Sequence, residues 1–138
     1  MRDFQRQRVY DWERKTIAPL TARKVSFESA QTFVNGVWLK SGWLYPPTVG
    51  LMAKHATRVF ANGTREHINI RENTPVWVIL HELAHTLTEG DGHGPDFVGM
   101  YIKLLDEVLN IPVPMSMYTL TKEKIKFNLS AQPRWSAS

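Results

Sequence analysis

The clearest hydrophobic pattern in the chain lies at residues 76–87, VWVILHELAHTL. Apolar side chains cover almost every face of a helix drawn through this stretch, which is typical of a helix buried inside a fold. Asn73 or Thr74 is suited to cap it, and Pro75 is suited to its first position. The pattern therefore predicts a central buried helix starting at Pro75.

A second helix is predicted after the glycine-rich stretch at 90–94. Residues 96–110, DFVGMYIKLLDEVLN, repeat apolar side chains at helical spacing behind Pro95, and Pro112 stops the pattern. The glycines allow a tight turn between the two helices.

The N-terminal residues 3–15 predict another helix, because Asp3 can cap it and Phe4, Val9 and Trp12 form a loose apolar stripe. Residues 26–40 fit either a helix or a hairpin that turns at their Asn-Gly pair, and we favour the helix.

Two short β-rich runs, at 57–60 and 67–70, predict a hairpin whose turn lies at 61–64. Taken together, the elements predict an α/β (α+β) fold in which a small twisted sheet packs on helices. We expect one domain over residues 1–120 and a basic, partly ordered tail over 121–138.

Charge divides the 138-residue chain into three parts. Residues 1–71 carry 12 Lys and Arg against 5 Asp and Glu, residues 72–110 carry 1 against 7, and residues 111–138 carry 4 against 1. The central helix thus lies in an acidic part that suits a cation, and only the basic N- and C-terminal parts favour a weak contact with nucleic acid.

The chain has no cysteine, which excludes disulfides, thiolate nucleophiles and zinc sites built on Cys pairs. Its charged N-terminus shows no signal peptide, and no apolar run reaches the length of a membrane span. The sequence predicts a cytoplasmic protein with no membrane partner.

His81 and His85 are four residues apart on the predicted central helix, so their imidazoles can point from one face toward a single metal ion. Zinc prefers nitrogen ligands in tetrahedral geometry. Glu82 lies beside the first histidine, where its carboxylate can take a proton from zinc-bound water. This H-E-x-x-H pattern is the metalloprotease motif.

The third ligand has several candidates. His93 is favoured, because its flanking glycines let the chain turn back toward the helix. A ligand from the following helix would be Asp106 or Glu107, and the loop acids Glu89 and Asp91 stay open as well.

HELAH followed by HGPDF resembles the SprT-like zinc metallopeptidases, which include Spartan-like proteases of DNA–protein crosslinks. This resemblance implies a zincin-like domain, with His81, His85 and His93 holding Zn²⁺ and Glu82 catalytic. The opening RDFQRQRVYDWE, together with the HELAH region, is similar to uncharacterised metallohydrolases of actinobacteria and their phages. This resemblance would place the protein in host cytoplasm if it is phage-encoded.

We therefore expect a zinc metallopeptidase that cleaves a peptide or protein substrate by Glu-assisted attack of a zinc-bound water. The alternative is a zinc-stabilised module that contacts DNA or a protein without catalysis. A peptidase also needs a group that stabilises the oxyanion. Its candidates are Tyr101, Tyr118, His67 and His55.

Overall fold

The computed structural model describes residues 3–52, 61–63, 67–88 and 92–133. These residues form a mixed α/β fold of helices and two small sheets. The α-helices are α1 (Arg6–Trp12), α2 (Phe27–Lys40), α3 (Val76–Leu87), α4 (Pro95–Leu109) and α5 (Val113–Lys122). The strands are β1 (Lys24–Ser26), β2 (Thr48–Leu51), β3 (Ala61–Gly63), β4 (His67–Ile70) and β5 (Asn73–Pro75).

The helix predicted at 3–15 is present but is interrupted. After α1 the chain widens into a π-helical turn at Glu13–Ile17 and then tightens into a 3₁₀ turn at Ala18–Leu20. Val9 and Trp12 are buried as expected. Phe4 was wrongly placed in the apolar stripe, because its side chain is 78% exposed.

The predicted capping role of Asp3 is wrong as well. Gln5 occupies the N-cap position of α1, and no side chain bonds to the free amides there. The carboxylate of Asp3 instead accepts hydrogen bonds from His93, far along the chain.

The stretch 26–40 is a helix, which confirms the favoured prediction. The hydroxyl of Ser26 caps α2 by accepting a hydrogen bond from the backbone N–H of Ser29 at 3.3 Å. Ala30, Val34 and Trp38 form its fully buried face. Burial of this stripe at a spacing of four residues outweighs the local hairpin preference of the Asn-Gly pair.

The larger sheet has the strand order β2-β4-β3. Strand β4 confirms the prediction at 67–70, and it lies between β2, which is parallel, and β3, which is antiparallel. Residues 61–63 were predicted as a turn but form strand β3, with Asn62 opposite Asn69. The strand predicted at 57–60 lies outside the described residues.

A second sheet pairs β1 with β5 and sets the start of the central helix. The backbone N–H of Val76 donates to the carbonyl of Arg23 at 2.9 Å, so the chain stays extended through Pro75. Pro75 is the N-cap of α3 rather than its first residue, and the predicted start is therefore one residue early.

The central helix α3 packs along α4 and also contacts strands of both sheets. Its apolar side chains are almost all buried, as predicted. Pro95 opens α4 as expected, and Asn110 ends it in the left-handed conformation with φ of 57°.

Helix α5 was not predicted, and the segment after it belongs to the predicted basic tail at 121–138. Ile125 and Ala131 are buried, and the backbone N–H of Asn128 donates to the carbonyl of Pro95 at 2.9 Å. The C-terminal segment thus lies against the start of α4. Within the described residues, no helix is long and apolar enough to cross a membrane.

Candidate metal centre

Three histidine rings meet where α3 faces the turn that leads into α4. His81 and His85 come from successive turns of α3, and His93 comes from the residues immediately before α4. His93 Nε2 lies 3.2 Å from Nε2 of His81 and 3.2 Å from Nε2 of His85. The three side chains each offer one ligand atom within 4.8 Å of the others.

These separations fit a small tetrahedral cation. Nitrogens bound to zinc at about 2.0–2.1 Å in tetrahedral geometry lie about 3.3–3.4 Å from one another. The two Nε2 separations of 3.2 Å, from His93 to His81 and from His93 to His85, are close to that edge length. The donor set, three imidazole nitrogens, is also one that zinc prefers.

Glu13 holds the outer side of the His81 ring. Its Oε2 lies 2.6 Å from His81 Nδ1 and accepts a hydrogen bond from the Tyr101 hydroxyl at 2.7 Å. Glu13 lies in the π-helical turn, and the residue is only 2% exposed. A buried carboxylate at this position directs the opposite nitrogen of His81 toward the other two rings.

Asp3 holds His93 in a similar way. Its Oδ2 lies 2.7 Å from His93 Nδ1, and the backbone N–H of His93 donates to the same carboxylate at 3.2 and 3.3 Å. Gly92, with φ of +60°, allows this approach, because a Cβ there would lie 2.8 Å from Asp3 Oδ2. The glycine predicted to help the turn therefore also makes room for the carboxylate.

Burial favours the neutral form of two of the three imidazoles. It lowers the pKa of His85 to about 2, with the nearby His81 and His93 acting in the same direction. Burial also lowers the pKa of His93, although Asp3 opposes that shift. Burial acts to lower the pKa of His81 too, but the charge and hydrogen bond of Glu13 outweigh it, and the net pKa is raised. A neutral imidazole is the form that binds metal.

Glu82 lies at the edge of the histidine cluster. Its Oε2 is 4.0 Å from His81 Nε2, and its side chain is 12% exposed. Burial raises the pKa of Glu82, with Glu13 contributing in the same direction and His81 opposing them. Its carboxylate therefore lies beside the three imidazoles and is not one of the groups that could hold a metal there.

Aromatic rings form the wall around the cluster. Phe97 stacks on His85 with ring centroids 4.2 Å apart, and Tyr101 lies edge-on to His81 at 5.5 Å. Tyr10 of α1 lies edge-on to His93 at 5.0 Å. This wall limits the rotation of the imidazoles and reduces the access of water to the inner side of the site.

The alternative third ligands are not near the rings or are not described. Asp106 and Glu107 are exposed on α4, and the Glu107 carboxylate accepts a hydrogen bond from Ser41 at 3.4 Å. Glu89 and Asp91 lie outside the described residues. Among the described residues, the group able to hold a metal is His81, His85 and His93.

The residues predicted as candidates to stabilise the oxyanion lie at different places in the fold. Tyr101 is fully buried and its hydroxyl donates to Glu13, behind the histidine cluster. Tyr118 is 64% exposed on α5. His67 lies on the side of β4 opposite the buried Ile68 and contacts Thr48 and Asn69. His55 is outside the described residues.

Sequence reasoning missed the residues that support the ligands, Glu13 above all. A signal for it exists, because Val9, Glu13 and Ile17 follow one another at a spacing of four residues. A carboxylate on an otherwise apolar stripe needs a partner in the core. Asp3 has no comparable signal, since any polar residue before a helix fits the description of a cap.

Comparison with known proteins adds no relative: no family model, no curated protein and no solved structure matches the chain.

Proposed function

We propose that this protein is a zinc-dependent metallopeptidase with a zincin-like fold, in which His81, His85 and His93 bind the metal. The observation that carries the proposal is the convergence of three imidazoles, with His93 Nε2 3.2 Å from Nε2 of both His81 and His85. Carboxylates behind two of the rings support it, because this arrangement recurs around zinc-binding histidines.

Zinc held by these residues would polarise a substrate carbonyl and lower the pKa of a coordinated water to about 7. Glu82 would act as the general base. Its carboxylate is beside His81 Nε2 and can take a proton from water and pass it to the leaving amine. The raised pKa of Glu82, which burial causes, brings its proton affinity closer to that needed for both transfers.

The resemblance of HELAH and HGPDF to SprT-like peptidases supports a peptide or protein substrate. We place the reaction in the cytoplasm as part of the same proposal. The acidic composition of residues 72–110 disfavours nucleic acid at the catalytic face, so any weak DNA contact would use the basic N- and C-terminal parts.

Replacing Glu82 with Gln tests this proposal. The variant should bind zinc as the parent chain does and lose about 10²–10⁴-fold in cleavage rate, which is the range for losing a general base. Zinc content is measured by elemental analysis. Cleavage is measured on substrates from an unbiased protein-substrate screen with and without DNA.

Glu107→Gln is the matched control, because Glu107 is an exposed carboxylate on α4 and was a candidate third ligand. It should keep both zinc and activity. Unchanged cleavage in Glu82→Gln would overturn the general-base mechanism. A chain that binds zinc tightly but cuts nothing in the screen would favour the noncatalytic binding module.

A further inference from the structure

We propose that Glu13 and Asp3 are positioning residues for the metal, and that binding of zinc and docking of the N-terminal segment, residues 3–17, stabilise each other. This inference rests on the proposed metal site. It adds that the N-terminal segment, which lies outside the HELAH and HGPDF motifs, is required to prepare the ligands.

The contacts of Glu13 fix the tautomer of His81. A separation of 2.6 Å between Nδ1 and Oε2 requires a proton between the two atoms. The Tyr101 hydroxyl lies 2.7 Å from this oxygen and 3.3 Å from the carbonyl of Trp77, so its single hydrogen goes to the nearer carboxylate. The donor that fits the remaining contact is His81 Nδ1–H. His81 then presents the lone pair of Nε2 to the metal, and the carboxylate increases the basicity of that nitrogen.

Asp3 fixes His93 by the same logic and adds a backbone contact. Its carboxylate lies 2.7 Å from the ring Nδ1 and accepts the backbone N–H of the same residue. His93 Nε2 is thereby directed at the other two ligands. The side chain of Asp3 is 27% exposed, so solvent screening makes its expected contribution smaller than that of Glu13.

Further contacts hold the N-terminal segment to the site and to the C-terminal part of the chain. The side-chain amide of Gln5 donates to the carbonyls of His93 and Lys126 at 3.0 and 3.1 Å. The indole N–H of Trp12 donates to Thr119 at 2.9 Å. Ligand geometry and docking of the segment therefore share one set of contacts, and a metal that orders the ligands should also hold the segment.

The test compares zinc affinity in full-length Glu13→Gln and Asp3→Asn variants, measured by competition with a chromogenic chelator. We expect affinity to fall about 10–100-fold for Glu13→Gln, the range typical of losing an outer partner of a ligand histidine. Asp3→Asn should show a smaller loss. Asp11→Asn is the matched control, since Asp11 is an exposed carboxylate of the same segment that contacts Gln7 and Arg14.

Hydrogen exchange provides a readout besides affinity. Adding zinc to the parent chain should increase the protection of amides in α1, and the gain should shrink in Glu13→Gln and Asp3→Asn. A purely structural role predicts otherwise: the variants would be less stable with and without zinc by the same amount, at unchanged zinc affinity. That result would overturn the proposal.

Long-range ¹H–¹⁵N NMR of the histidine rings tests the tautomers in the parent chain, which keeps the proposal falsifiable if Glu13→Gln does not fold. With zinc bound, Nδ1 of His81 and His93 should carry the proton and Nε2 the metal. Metal on Nδ1 of either ring would contradict the inference. Failure of the parent chain to bind zinc would instead contradict the proposed function.

Discussion

His81 uses both of its ring nitrogens, one toward Glu13 and the other toward the ligand cluster. His93 has the same arrangement with Asp3. A histidine on the surface is hydrated by water and does not require a buried carboxylate on one ring nitrogen and a second imidazole 3.2 Å from the other. At the scale of single residues, these paired contacts are what separates the cluster from a chance meeting of polar side chains.

Removal of His93 should abolish tight zinc binding. His93→Ala leaves two ligands, both on one helix. We expect zinc affinity to fall by more than the loss of about 10–100-fold that is typical when an outer partner of a ligand histidine is removed. Equilibrium dialysis followed by elemental analysis measures this loss.

His67→Ala is the control for His93→Ala, because it removes a histidine from β4 that contacts Thr48 and Asn69 instead of the cluster. It should bind zinc normally. Equal zinc content in the two variants would show that His93 is not a ligand.

The pairing of His81 and His85 could be predicted from the sequence because the helix repeat places residues i and i+4 on one face. The role of Glu13 behind His81 could not be predicted in this way. It lies 68 positions from His81, and Asp3 lies 90 positions from His93, so only the tertiary fold brings them together. The proposed metal ligands have a local pattern. For Glu13 the sequence shows only that a carboxylate on an apolar stripe needs a partner, and it does not show which residue that partner is.

At the scale of elements, the N-terminal helix departs most from its predicted form. The apolar spacing of residues 3–15 indicates one continuous helix, but the chain passes through the π-helical turn that carries Glu13. Such turns are rare and are often found at functional sites. Helical periodicity does not reveal the turn, since Val9, Glu13 and Ile17 keep ordinary helical spacing.

The contact between α4 and the C-terminal segment provides a test at the same scale. A Cβ added at Gly99 would lie 1.9 Å from the backbone oxygen of Asn128, which cannot move unless the segment moves. We expect Gly99→Ala to lower the free energy of unfolding by about 1–3 kcal/mol, the usual cost of overpacking. Urea unfolding followed by circular dichroism measures it.

Gly36→Ala is the control for Gly99→Ala. Gly36 is also helical, but a Cβ there would meet no atom within 4 Å. Alanine should raise stability by roughly 0.5–1 kcal/mol, since it is the better helix former. If Gly99→Ala were also stabilising, the close packing of the C-terminal segment on α4 would be wrong.

At the scale of the whole molecule, the sequence predicts a mixed α/β fold around a buried HELAH helix, and the structure has both. The sheets were harder to predict. Strands β1 and β5 have three residues each, too few to show alternation, and they pair across almost fifty positions. Helix α5 was missed because the residues after Pro112 have only a weak apolar stripe. Short or weakly amphipathic elements take their form from tertiary contacts rather than local pattern.

Zinc binding should stabilise the entire fold. The proposed ligands come from α3 and from His93, two residues before α4, and their supporting carboxylates come from the N-terminal segment. The unfolded chain therefore does not hold the same site. Free zinc at 100 times the dissociation constant should add about 2.7 kcal/mol to the free energy of unfolding. Urea titrations with buffered zinc and with chelator measure the difference.

Glu82→Gln should show the full gain in stability because Glu82 is not a proposed ligand, and His93→Ala should show little. Loss of the gain in Glu82→Gln would instead make that carboxylate part of the metal shell.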